Sequence, residues 1–181
     1  EVGPGSGFFA EKALKSIETQ KPSSRTRYIG VDLSKSMLQK SSHRLQKYIS
    51  DGTASMHLAN SSLHFIDNLS IPIDKVIMTY VLDLMPPKDI SILSSILLSK
   101  LSDSGSLCVV NLSYGVSPLS RIVTNTWQLL YLALGGHVVG GCRPIDAAEH
   151  FSSSEGYVLK YNSSVVSCGL PSQIAIFAHK K

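Results

Sequence analysis

Apolar and polar positions along this chain fall into two periods. From Phe8 to about Gln20, Phe9, Ala13, Leu14 and Ile17 recur at helical spacing, with Glu11 in the first turn and no breaker inside, which predicts a helix. Arg27 to Asp32 is short, rich in β-formers and bounded by turn residues, the pattern of a buried strand ending at Asp32. Ser34 is placed to cap a second helix, carried by Met37, Leu38, Leu45, Tyr48 and Ile49 and stopped at Asp51-Gly52. Strands are expected again at about Ala54 to Ala59 and at Asp74 to Leu82, the second a nearly continuous apolar run suited to a parallel strand covered on both faces.

Pro86-Pro87 opens a helix of roughly Lys88 to Leu101 with Ile90, Leu93, Ile96, Leu97 and Leu101 as its buried stripe. Asp103-Ser104-Gly105 predicts a turn into the strand Ser106 to Leu112. Pro118 to about Leu134 reads as a long apolar helix, and Arg143-Pro144-Ile145-Asp146 as the start of a short one. Two last runs, about Tyr157 to Cys168 and Gln173 to His179, flank Gly169-Leu170-Pro171-Ser172 as a hairpin would. Strands that alternate with helices and end in a hairpin predict an α/β sheet, parallel except at its carboxyl-terminal end.

Length and composition narrow this picture. At 181 residues, 43% hydrophobic and 17% charged, the chain suits one domain, 1–181, with enough apolar surface to order itself. The best apolar stretch, around Leu129 to Val139, is short and broken by Gly135, Gly136 and His137, so a soluble chain is expected, with peripheral membrane contact left open. The net charge of +4 is spread along the sequence, a weak nucleic-acid signal. Cys108, Cys142 and Cys168 are odd in number and far apart, which excludes a disulfide framework and makes a reducing, cytoplasmic setting the expectation. The six histidines show no metal-ligand spacing.

The chemistry concentrates at the start, in Glu1-Val2-Gly3-Pro4-Gly5-Ser6-Gly7, where glycines at a strand-to-helix junction let a ligand approach the backbone and the first helical N–H groups. The spacing departs from the Gly-x-Gly-x-x-Gly of dinucleotide sites, and no Gly-Lys-Ser/Thr follows as in a phosphate loop. Asp32, at the carboxyl end of the next strand, is placed either to take both hydroxyls of a ribose or to cap the helix after it. Asp83 reads as a base or, preferably, a structural polar strand end; Asp67 and Asp74 read as turn residues. Trp127 and Tyr131 read as core or lid before substrate contact, His137 as a loop histidine, and Cys108 as packing.

The glycine loop, Gly30-Val31-Asp32-Leu33-Ser34-Lys35-Ser36-Met37-Leu38, Val81-Leu82-Asp83-Leu84-Met85-Pro86, and Leu101-Ser102-Asp103-Ser104-Gly105-Ser106-Leu107 together resemble, in order, class I S-adenosylmethionine-dependent methyltransferases. Within them the chain is similar to the ubiquinone and menaquinone biosynthesis branch. The resemblance implies a Rossmann-like, mostly parallel sheet with helices on both faces and an antiparallel terminal hairpin. It implies S-adenosylmethionine as cofactor, Gly3, Gly5 and Gly7 around its methionine part, Glu1 near its amino group, and Asp32 on the ribose. Leu33 and Met37 would lie against the adenine, Asn60 and Ser61 replace the family's Gly-Asp-Ala at the adenine amino group, and Tyr80 and Val81 would line the methyl end.

The Asp/Asn-Pro-Pro-Tyr motif of DNA amino-methylating enzymes is absent, which disfavours nucleic acid, and the apolar segment from Pro118 to Arg143 points to a small apolar, amphipathic or lipid-like acceptor. Tyr114, Trp127, His137 and Arg143 are the candidate acceptor contacts. A nicotinamide-dependent oxidoreductase and a non-catalytic relative are the competing expectations. Only Glu1-Val2 stand where the family's first, central strand would run, so the chain reads as most of a domain whose first strand and helix lie upstream.

Overall fold

The computed structural model describes residues 1–20, 26–115, 118–134, 142–152, 156–167 and 170–180. They form two compact units, Glu1–Asn68 and Leu69–Lys181. In both, strands alternate with helices as the hydrophobic pattern predicts, and the architecture is the expected α/β class.

The first unit contains α1 (Phe8–Gln20), β1 (Tyr28–Asp32), α2 (Lys35–Arg44), α3 (Gln46–Ser50), β2 (Ala54–Leu58) and α4 (Ser62–Asp67). β1 and β2 are parallel, in register from Tyr28 opposite Ala54 to Asp32 opposite Leu58, and Val2 bridges Val31 in parallel on the other side. Ala10 and Leu14 of α1 meet Leu45, Tyr48 and Ala54 in a small apolar core, with Tyr28, Ile49 and Met56 packed against it. The helix expected to run unbroken from Ser34 to Ile49 bends instead at Leu45, whose backbone leaves helical geometry (ψ 13°) as its side chain becomes fully buried. The Ser41 hydroxyl, bonded back to the Leu38 carbonyl at 3.0 Å, favours the bend. Sequence periodicity also missed α4, whose six residues span under two turns and bury only Ile66 fully; Asp67, expected in a turn, is its last residue.

The second unit contains β3 (Ile73–Thr79), a 3₁₀ turn (Leu82–Leu84), α5 (Pro87–Lys100), β4 (Leu101–Leu112), α6 (Pro118–Leu134), α7 (Ala147–Ser152), β5 (Tyr157–Ser167) and β6 (Leu170–His179). Its sheet runs in the order β3-β4-β6-β5. β3 and β4 are parallel, whereas β6 is antiparallel to both β4 and β5, so the terminal hairpin closes the sheet as expected. Tyr157 and Phe177 clasp Phe151 of α7, with ring centroids 5.6 and 5.2 Å from it.

Four boundaries differ from expectation. The strand predicted to reach Leu82 ends at Thr79, because Tyr80 turns to φ 54° and Val81 is helical. Asp103-Ser104-Gly105 is a bulge inside β4, which starts at Leu101: Ile73 pairs with Leu101 but Lys75 already with Ser106, and Asp74 lies within β3. α7 begins at Ala147, past Pro144, since the Asp146 carboxylate takes the Ala148 N–H at 2.8 Å. Pro171 and Ser172, expected in the hairpin turn, are already paired in β6, while Cys168 and Gly169 lie outside the described residues. No helix among the described residues is long and apolar enough to cross a membrane.

Candidate functional site

The glycine loop is held between a β-bridge and a helix start. Val31 N–H donates to the Glu1 carbonyl (3.0 Å) and Gly3 N–H to the Val31 carbonyl (2.8 Å), which fixes the chain beside β1. It then reverses tightly, Gly7 N–H reaching the Pro4 carbonyl at 2.9 Å, and Gly7 accepts the first helical bond of α1 from Glu11 at 3.0 Å. Gly3, Gly5 and Gly7 all lie in the left-handed region, at φ 65°, 54° and 75°.

Two of these glycines do different things. A Cβ on Gly7 would sit 3.0 Å from Cα and Cβ of Ser41, so this glycine is required for α2 to pass beneath the loop. A Cβ on Gly5 would have nothing within 4 Å, which leaves the loop an open cradle there.

Asp32, buried at 9% exposure, ties this loop to the next helix. Its Oδ2 accepts the Gly5 N–H (3.2 Å) and its Oδ1 the Ser34 N–H (2.8 Å), so one carboxylate fixes the loop and the start of α2. A carboxylate offers about four lone-pair positions, and these bonds use one on each oxygen. Ser34 in turn caps α2, its hydroxyl accepting from Met37 N–H at 3.4 Å. Leu33 and Met37 beside it are exposed at 60% and 38%, apolar surface flanking a buried charge. The Asp32 carbonyl accepts the Ala59 N–H at 3.1 Å, which brings the start of the exposed pair Asn60-Ser61 to the same strand edge; the Ser61 hydroxyl caps α4.

The Glu1 carboxylate accepts the Tyr28 hydroxyl at 2.7 Å, and burial raises its pKa against the stabilising pull of that bond. Tyr28 had no separate signal in the sequence. Nor did Ser41, or Arg44, whose Nε donates to the Ser6 carbonyl at 2.9 Å and braces the loop from α2. These three are found by tertiary contact alone.

In the second unit, Tyr80 is the one non-glycine residue at positive φ among the described residues; its hydroxyl lies 2.8 Å from that of Ser172. Val81 leads into the 3₁₀ turn, where Asp83 is buried at 1% exposure with Oδ1 unpartnered. Burial raises the Asp83 pKa, opposed by the N–H groups of Asp83 and Leu112 and by the charge of Arg143. Arg143 itself is a brace, its guanidinium donating to the Met85 carbonyl (2.6 Å) and its N–H to the Asp83 carbonyl (3.0 Å). Trp127, half-buried, donates its indole N–H to the Cys142 carbonyl at 3.0 Å. Tyr114 is exposed and lines a cleft; His137 lies outside the described residues.

No protein-family model and no curated protein matches the sequence. Solved structures do match. The chain is similar to magnesium protoporphyrin IX methyltransferase from Synechocystis, solved with bound SAH, at 15% identity and TM-score 0.70 over 99% of this chain and 72% of that one. It is similar to the mitomycin 7-O-methyltransferase MmcR at 15% identity and TM-score 0.64, over 99% of this chain and 48% of that one. A chain described as a pericyclic reaction enzyme matches at 14% identity and TM-score 0.65, over 99% of this chain and 42% of that one. The chain thus spans less than half the length of two of these three. What they share with it is the fold.

Proposed function

We propose, from a chain that carries the class I S-adenosylmethionine-dependent methyltransferase fold, that the glycine loop and Asp32 hold S-adenosylmethionine and that its methyl group passes to a small apolar or amphipathic acceptor. The observation that carries the reading is Asp32, a buried carboxylate fastened to both Gly5 and Ser34 beside a glycine whose missing side chain leaves open space. Such a carboxylate, with acceptor capacity left over, suits a vicinal diol, and the apolar surface of Leu33 and Met37 suits a flat aromatic base. Glu1, Gly3 and Gly7 complete the methionine side of the reading, and Asn60 and Ser61 the adenine side.

The cofactor supplies an activated methyl carbon on a sulfonium, so the chain's residues are asked mainly to position two reactants and exclude water. Asp32 orients the nucleoside through charge-assisted hydrogen bonds, and the left-handed glycines keep side chains out of its path. The exposed Ile122, Leu129, Leu130, Leu132 and Leu134 of α6 favour an acceptor with an apolar body. A second reading, a cofactor-holding relative that does other chemistry, is favoured by the likeness to a pericyclic reaction enzyme.

Titration with S-adenosylhomocysteine tests the site. Asp32→Ala is expected to weaken binding by about 1.5–3 kcal/mol, roughly 10- to 150-fold. Unchanged affinity by calorimetry removes Asp32 from the site. Radiolabelled methyl transfer to phenols, quinone precursors and lipid amines separates the two chemical readings, since binding without transfer to any of them supports the second.

A further inference from the structure

One face of the second unit's sheet changes character along its length. Leu107, Val109 and Asn111 of β4 stand opposite Phe177, Ala175 and Gln173 of β6, so the buried face runs from apolar to amide at the carboxyl end of β4. Burying amides costs free energy unless each atom finds a partner, and a core alone asks only for more apolar side chains. Gln173, 6% exposed, is fully engaged: Nε2 donates to Asp146 Oδ1 (2.8 Å) and Asn162 Oδ1 (3.1 Å), and Oε1 accepts the Ala147 N–H (2.8 Å). Asn111 donates to the Ile145 carbonyl at 3.0 Å, but its buried Oδ1 has no partner.

Gln173 and its partners Asp146 and Asn162 line a cleft of about 410 Å³ in which Ile145 is the one aliphatic residue among ten lining it. Tyr114, Arg121, Asp146, Asn162, Ser164 and Gln173 are among its polar lining. Arg121 spends its Nε on the Gly115 carbonyl (3.3 Å), and four guanidinium N–H donors remain beyond that bond. The Asp146 carboxylate accepts two hydrogen bonds, both on Oδ1. The two opposite charges share the cleft without an ion pair to each other.

We propose that this cleft binds a small zwitterionic, amino-acid-like group, its carboxylate taken by Arg121 and its ammonium by Asp146 and the amide carbonyl of Asn162. The volume is in the range of small-molecule sites, and opposite charges held apart on a fixed polar floor match a ligand that carries both. Its assignment as the polar end of an amphipathic acceptor rests on the methyl-transfer reading; its occupancy does not.

Binding to the full chain is therefore measured without cofactor, by calorimetry or ligand-observed NMR, using phenylalanine, 3-phenylpropionate, phenethylamine and benzyl alcohol. The four share an aromatic body and differ in which charges they carry. Phenylalanine is expected to bind tightest, with each singly charged analogue weaker and benzyl alcohol weakest. Arg121→Leu, on an exposed helix position, is expected to weaken phenylalanine on the order of 10- to 100-fold and to leave phenethylamine unchanged. Ser164→Trp, which fills the cleft from the rim, is expected to abolish binding of all four, with melting curves confirming that both variants fold.

Benzyl alcohol binding as tightly as phenylalanine overturns the proposal, as does an Arg121→Leu effect equal for all four probes. Absence of phenylalanine binding in the millimolar range overturns it too, as does full binding by Ser164→Trp. If S-adenosylhomocysteine binding fails while phenylalanine binds, the cofactor reading falls and the cleft stands.

Discussion

The carboxyl ends of the two parallel strand pairs solve the same problem in opposite ways. At the carboxyl end of β1 and β2 the turns are made by glycine or capped by a side chain: Gly3, Gly5 and Gly7, beside β1, take the left-handed backbone, and Ser34 and Ser61 cap the helices that follow the two strands. Asp32, the buried charge at that end, has a hydrogen bond on each oxygen. After β3 and β4 the left-handed residue is Tyr80, the buried carboxylate of Asp83 has an unpartnered oxygen, and so does the Asn111 amide. Strain and unmet acceptors each cost of order 1–3 kcal/mol, so the second end persists only because the surrounding sheet over-determines it. The first end puts its left-handed turns on glycine and leaves open space at Gly5, whereas the second holds a tensioned arrangement.

The largest effect that would break this contrast belongs to Gly7. Gly7→Ala adds a left-handed penalty and pushes a methyl group to 3.0 Å from the Ser41 backbone, an expected loss of about 2–4 kcal/mol in denaturant unfolding. Gly5→Ala meets nothing within 4 Å and is expected to lose only about 1–2 kcal/mol, while its methyl group enters the cradle and lowers S-adenosylhomocysteine affinity. Equal destabilisation by the two variants would mean that the loop is one structural turn and its open side has no separate purpose.

These two ends also differ in how much of them could be read from the sequence. The helix Phe8–Gln20, the strand ending at Asp32 and the Ser34 cap follow from local periodicity and side-chain chemistry, and each is where the pattern places it. The separate duties of Gly5 and Gly7 were not legible, because Ser41 reaches Gly7 only through the crossing of α2. The second end was legible as an apolar strand but not in its termination: nothing in Thr79-Tyr80-Val81 signals a left-handed tyrosine, since that geometry is imposed by the bond from Tyr80 N–H to the Val110 carbonyl (2.7 Å) and the contact with Ser172. The cleft floor was likewise silent. Asp146, Asn162 and Gln173 lie apart in sequence and meet only through strand register and a helix cap.

Tyr80 offers a smaller test. Tyr80→Ala and Tyr80→Gly both remove the ring and its hydroxyl contact, but only glycine relieves the left-handed backbone. Glycine ordinarily leaves a folded chain about 0.5–1 kcal/mol less stable than alanine at the same site. At position 80 that order is expected to invert, with the glycine variant unfolding about 1 kcal/mol later than the alanine variant. An alanine variant as stable as the glycine one would show that the backbone here is relaxed, and the contrast with the glycine loop would lose its meaning.

Asp83 gives the subtlest effect, visible as a dependence on pH. Its carboxyl is held above the ordinary value by burial, with the N–H groups of Asp83 and Leu112 and the Arg143 charge pulling the other way. A raised native pKa means that the folded state binds the proton more tightly than the unfolded one. The resulting stabilisation is complete below the unfolded value of about 3.9 and is lost as pH rises through the folded value. Asp83→Asn, which keeps the shape of the neutral acid, is therefore expected to match the native chain near the acid limit and to gain on it as pH rises toward neutrality. The Cys142 thiol reports the same group independently, since burial and then the Asp83 charge raise its pKa. In the asparagine variant its alkylation rate should rise at a lower pH. A stability difference that stays constant across pH, with unchanged Cys142 alkylation, would show that burial puts no penalty on the Asp83 charge, and the contrast between the two strand ends would lose this support.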